Sequence, residues 1–134
     1  AKGRLVLPSR LKSVLPKASK SSIIIRKGFE PNLIIYSLHE FQNIYTRINS
    51  LNEFSSEQRK LKRNLFSSIS QVDLDSNGRF LIPKNMIKHT KLKKDVILIG
   101  MGNIIEVWSP GLYNKNLISS SKEFSNLAQK YLDV

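Results

Sequence analysis

The chain has 134 residues, enough for one domain of ordinary size, and 40% of them are hydrophobic, which suffices for a core. Its 22 Lys and Arg against 10 Asp and Glu give a formal net charge of +12, a self-repulsion expected where the partner is a polyanion. The sequence contains no Cys, which excludes disulfides and thiolate metal sites. No apolar run reaches the ~18 residues of a membrane helix, and no apolar stretch follows the basic N-terminus as in a signal peptide, so a cytoplasmic setting is expected.

Arg4 to Leu7 is predicted to be a strand, ended by Pro8, which has no N–H for a ladder. Residues 13–22, with Pro16 and four serines, read as a loop or short helical turn. Ile23-Ile24-Ile25 is a β-branched run suited to a strand buried on both faces. Gly28 and Pro31 mark a turn, and Leu33 to Tyr36 returns as the second strand of a hairpin. Ser37-Leu38-His39-Glu40 is a capping box, and behind it Phe41, Ile44, Tyr45, Ile48 and Leu51 lie on one helical face. Ser55-Ser56-Glu57-Gln58 opens a second helix with Leu61, Leu65 and Ile69 as its inner stripe. Arg59, Lys60, Lys62 and Arg63 surround that stripe, as a solvated face or a partner contact.

Val72 to Asp75 alternates apolar and acidic residues before Ser76-Asn77-Gly78. Asn-Gly between alternating strands is a strong hairpin signal, because both residues tolerate positive φ. Phe80 to Ile82 is the outgoing strand, stopped by Pro83. Val96 to Ile99 and Ile104 to Trp108 make another hairpin, turning at Gly100 to Asn103, and Ser109-Pro110 caps a short helix. Phe124, Leu127, Ala128, Tyr131 and Leu132 form the apolar face of a C-terminal helix, expected to pack on its own domain, with a subunit contact as the alternative.

Two of these stretches are near-copies. Gly3-Arg4-Leu5-Val6-Leu7-Pro8 matches Gly78-Arg79-Phe80-Leu81-Ile82-Pro83 at an offset of 75 residues, and Leu33 to Ser37 matches Ile105 to Ser109 at an offset of 72. Two long copies predict a duplicated unit with an internal pseudo-twofold rather than a solenoid. The charge follows the repeat: residues 1–28 carry eight Lys or Arg and residues 79–94 carry six, with no acid in either stretch. A merely Lys-rich surface would scatter acids among its bases, so the clustering points to nucleic acid.

Catalytic patterns are missing. His39 and His89 have no partner at metal-ligand spacing, there is no nucleophile elbow, phosphate loop or dinucleotide fingerprint, and Asp73 with Asp75 lacks a third carboxylate for a nuclease metal site. No enzyme activity, catalytic residue, metal, cofactor or small-molecule substrate is expected. Asp75 to Arg79 reads as a tight turn whose carboxylate accepts from the turn amides or from the Arg. The guanidinium is then either poised to grip a phosphate or guanine edge, or a brace that touches nothing else.

Asp75-Ser76-Asn77-Gly78-Arg79 with Phe80-Leu81-Ile82-Pro83, and the shorter copy from Ala1 to Pro8, resemble the two SpoVT/AbrB-type repeats of the MraZ family. Lys27-Gly28-Phe29, Leu33 to Tyr36 and Gly102 to Ser109 also resemble that pattern, so the similarity covers almost the whole chain. The counterpart of Asp75 in the first copy would fall immediately before Ala1.

The resemblance implies an α+β fold in which two AbrB-like repeats form one intrachain swapped-hairpin β-barrel with peripheral helices. It divides the chain into a first repeat with its helix (1–54), a connecting basic helix (55–70), a second repeat (71–115) and a C-terminal helix (116–134). It also implies a nucleoid-associated regulator, mainly a repressor, of the bacterial division and cell wall gene cluster. Such a protein binds double-stranded DNA at tandem promoter repeats as a closed homo-oligomeric ring such as an octamer or dodecamer. The family's DNA contact maps onto Arg4 and Arg79, with Lys2 and Arg10 beside the first. Arg4 is expected to read bases and Lys2 a phosphate, with Arg10, Lys12 and Lys84 on the backbone. Arg79 reads DNA or braces its turn, together with Asp75, Gly3 and Gly78. Two rivals remain: an RNA- or ribosome-associated basic protein, and an antitoxin-like module that binds another protein.

Overall fold

The computed structural model describes residues 3–8 and 22–134. Its strands are β1 (Arg4–Val6), β2 (Ser22–Lys27), β3 (Leu33–Ser37), β4 (Ile69–Asp73), β5 (Arg79–Leu81), β6 (Ile97–Gly100) and β7 (Ile105–Trp108). Its helices are α1 (Leu38–Asn49), α2 (Ser56–Ser67), α3 (Lys84–Thr90), α4 (Pro110–Lys115) and α5 (Ser121–Leu132). The architecture is α+β, and the two repeats are interleaved strand by strand. A five-stranded antiparallel sheet runs β4-β2-β3-β7-β6, and β1 pairs with β5 in a separate ribbon. Three ladders, β1–β5, β2–β4 and β3–β7, join one repeat to the other.

The register obeys the offsets read from the sequence. In the ribbon Arg4 faces Leu81, Leu5 faces Phe80 and Val6 faces Arg79, so shifting each residue by 75 returns the same pairing. In the sheet Leu33 faces Val107, Ile34 faces Glu106 and Ile35 faces Ile105, which is self-consistent at an offset of 72. The pseudo-twofold therefore passes through Leu5/Phe80 and Ile34/Glu106. Matching backbone bonds prolong the ribbon: the Leu7 N–H donates to the Gly78 carbonyl at 3.0 Å, and the Ile82 N–H donates to the Gly3 carbonyl at 2.6 Å.

Alternation places the core. Leu5, Leu7, Phe80 and Ile82 of the ribbon segment meet Ile23, Ile25, Leu33, Ile35, Ile105 and Val107 of the sheet in one buried cluster, closed by Met86 of α3. Ile24, Ile34 and Tyr36 point to the opposite face, where Leu38, Phe41 and Ile44 of α1 cover them. This is why the isoleucine run of β2 is buried on both sides. Ser37 caps α1 by accepting from the Glu40 N–H at 3.0 Å, and α2 is capped alike by Ser55. The layers are thus ribbon with α3, then the sheet, then α1 with α2.

Several expectations are corrected. Ile69 does not continue the stripe of α2; it pairs with Arg26 as the first residue of β4, where its side chain packs against the cluster of Ile24, Ile34 and Tyr36. The Asn77-Gly78 turn forms, but its flanking strands do not make a hairpin: β4 pairs with β2 and β5 with β1. Positive φ is taken by Gly78 alone in that turn. The seven-residue α3 has no counterpart among the predicted elements. Ser109 sits at the start of α4 without a side-chain capping bond. The C-terminal α5 buries none of its residues, so its apolar face does not pack on its own domain among the described residues. The expected loop at 13–22 falls almost wholly outside the described residues. Among the described residues no helix is long and apolar enough to cross a membrane.

Candidate nucleic-acid interface

The ribbon's outer surface follows from its inner one. Leu5 and Phe80 face the core, so their neighbours Arg4, Val6, Arg79 and Leu81 face outward. Arg4 and Arg79 are diagonal neighbours across the two strands, a relation that sets residues about 7–8 Å apart, within reach of long side chains. Two arginines separated by 75 positions in the chain therefore occupy one face, related by the pseudo-twofold.

Each ribbon strand is entered through a glycine in the left-handed region, Gly3 at φ 72° and Gly78 at φ 76°. That conformation strains any residue with a Cβ, which accounts for glycine before each Arg. Around the second turn Asp75 organises the backbone. Its Oδ1 accepts from the N–H groups of Asn77 and Arg79, both at 2.9 Å, while its Oδ2 accepts from Arg79 Nε at 2.9 Å. The Arg79 amide first, and then its guanidinium and the Asn77 amide, hold the Asp75 carboxyl below its usual value. The brace uses Nε and leaves the terminal nitrogens of Arg79 without a hydrogen-bond partner among the described residues. Bracing and gripping are therefore compatible in one side chain. Arg79–Asp75 is the one ion pair among the described residues, and Arg4 is exposed with no such partner.

Arg4 stands between two depressions. The smaller, of about 200 Å³, is lined by Arg4, Asp73, Asp75, Arg79, Phe80 and Leu81. The larger, of about 440 Å³, sets Arg4 beside Lys93 and Lys94 over a floor that includes Ile82, Ile87 and Val96. Lys93 and Lys94 are cations that the choice of site residues from the sequence passed over. They sit about 90 positions from Arg4 in the chain, and only the fold brings them together. Lys84 is exposed at the first residue of α3. Lys2, Arg10 and Lys12 lie outside the described residues. The basic side chains of α2 belong to the layer on the far side of the sheet, where Tyr45 of α1 stacks with Phe66 of α2. Arg26 is occupied: its Nε donates to the Tyr36 hydroxyl at 2.9 Å, and its guanidinium lies 4.9 Å from the Phe29 ring.

Comparison with known proteins finds relatives of the whole chain. The family model described as "MraZ protein, putative antitoxin-like" matches twice, at residues 1–64 and 65–134. A Transcriptional regulator MraZ from Cytophaga hutchinsonii is 52% identical over 132 residues, covering 98% of this chain and 87% of that protein. Proteins of the same name from Ureaplasma urealyticum and Christiangramia forsetii are 33% and 32% identical, covering 98% of this chain and 90% and 86% of their own lengths.

Proposed function

The chain belongs to the MraZ family, and from that premise we propose that it is a transcriptional regulator that binds double-stranded DNA sequence-specifically, with no catalytic step. The observation that carries the reading is the outward diagonal pair of Arg4 and Arg79 on a two-stranded ribbon beside Lys93 and Lys94. A two-stranded ribbon fits the major groove, and a guanidinium there can take the O6 and N7 of guanine together. Arg4 reads a base edge. Arg79, held at Nε, presents its terminal nitrogens to a second base or a phosphate. Lys93, Lys94 and Lys84, with Lys2, Arg10 and Lys12, neutralise phosphates. The targets are tandem repeats at the promoter of the division and cell wall gene cluster, where the protein acts mainly as a repressor on the nucleoid.

Assembly into a ring would set several such ribbons on successive repeats, so that weak single contacts multiply through effective concentration. What supports assembly is α5, where Phe124 and Tyr131 are 63% and 72% exposed on an apolar helical face that its own chain leaves uncovered among the described residues. The family description's words "antitoxin-like" favour a second reading, a module whose ligand is another protein.

A gel shift with the promoter region of the protein's own operon, against scrambled duplex and with tRNA as competitor, tests the function. Selective retardation that survives tRNA supports it. Equal retardation of both duplexes or full competition by tRNA overturns it. Light scattering of wild type and Tyr131→Glu tests assembly, with a fall in mass expected for the variant.

A further inference from the structure

We propose that Val6 and Leu81 are specificity determinants that read the methyl groups of thymines beside the contacts made by Arg4 and Arg79. The inference rests on the DNA-binding reading of the ribbon and goes beyond its arginines. Val6 and Leu81 are 53% and 60% exposed, although the buried core lies one residue away on each strand. Scattered apolar side chains are ordinary on a surface, but these two are not scattered. Each is the direct cross-strand partner of an arginine, Leu81 of Arg4 and Val6 of Arg79, and the pseudo-twofold exchanges the two pairs.

The ribbon face is thus two copies of one unit, a guanidinium beside an aliphatic group. Directly opposed side chains are about 5 Å apart at Cβ, against a rise of about 3.4 Å per base pair. An arginine and its aliphatic partner therefore reach bases one or two steps apart. Within a duplex groove the polar edges suit the guanidinium, and the apolar feature exposed in the major groove is the C5-methyl of thymine. Arg4, Arg79, Lys93 and Lys94 outnumber Asp73 and Asp75 around this face, and the remaining positive charge is complementary to the phosphates on either side of that groove.

Deoxyuridine tests the inference, because it removes the methyl and leaves every hydrogen-bonding group of the base pair. Duplexes spanning the protein's own promoter repeat, each with one thymine replaced, are titrated by fluorescence anisotropy against wild type, Val6→Ala and Leu81→Ala. The expected result is a loss of about fourfold in wild-type affinity at one or two positions, the size of one buried methyl group. At the position each residue reads, the corresponding variant should bind deoxyuridine and thymine duplexes alike. Both variants remove exposed atoms, and an unchanged melting temperature checks that the fold is retained. The inference is overturned if wild type is indifferent to every replacement, or if the loss persists undiminished in both variants. Wild type that binds promoter and scrambled duplex equally would instead remove the DNA reading beneath it, and this inference with it.

Discussion

The two Gly-Arg steps share their glycine conformation and their cross-strand bonds, and among the described residues a carboxylate braces the second. Gly3 and Gly78 have nearly equal φ, and each gives its carbonyl to the residue four positions beyond the other, Ile82 and Leu7. Yet at the second turn Asp75 holds Arg79 by two hydrogen bonds and the Asn77 amide by a third, while Arg4 is exposed without an ion-pair partner among the described residues. Backbone register is therefore set by strand exchange between repeats, and the Asp75 carboxylate adds bonds to two turn amides and restrains the Arg79 guanidinium. A braced arginine such as Arg79 is pre-positioned and loses less freedom on binding, but has one nitrogen fewer to offer.

The comparison breaks first at Arg4. Arg4→Ala is expected to cost roughly 10- to 100-fold in promoter affinity relative to scrambled DNA, the range of one bidentate base contact. A variant that retains selective retardation would remove Arg4 from base reading. Next come the glycines: Gly3→Ala and Gly78→Ala should each destabilise by about 1–2 kcal/mol, the cost of a left-handed conformation for a residue with a Cβ. Similar losses in chemical denaturation would confirm that the two turns are mechanically alike, and a loss at Gly78 alone would separate them. Arg79→Ala should reduce the slope of log K against log salt by about 0.9 if its free nitrogens grip a phosphate. An unchanged slope would leave it as a brace.

The smallest effect is expected at Asp75. Its carboxyl is held below the ordinary value of 3.8, so ionisation favours the folded state. That stability is present above the unfolded value and is lost as pH falls through the lower, folded one. Asp75→Asn should therefore melt below wild type at neutral pH, with the gap closing in acid below about pH 4. Asp75→Ala should lower the melting temperature more than it lowers DNA affinity, and the reverse ordering would make the carboxylate part of the interface.

What could be read from the sequence was what repeats or alternates. The paired Gly-Arg motifs and the match of Leu33–Ser37 with Ile105–Ser109 set offsets that the ladders obey to the residue, and Ile23 to Ile25 announced a strand buried on both faces. Non-local and short features could not be read this way. The seven residues of α3 are too few for a helical period to stand out, although Met86 and Thr90, one turn apart, are both buried. The stripe Leu61, Leu65, Ile69 keeps helical spacing into what is a strand, because spacing alone is blind to the partner that β2 supplies. Lys93 and Lys94 near Arg4 are a product of chain reversal, invisible to any local window. The face of α5 is amphipathic whatever covers it, and no pattern within one chain distinguishes a neighbour in the same fold from one in another molecule.

Because each repeat lends strands to the other, neither half of this molecule owns a complete interior. The relation resembles a dovetail joint more than two beads on a string. A cut in the exposed connection between α1 and α2 would leave the pieces gripping one another. A substitution in one half is felt at once by its twin, so the duplicated halves cannot drift apart freely as two independent domains would.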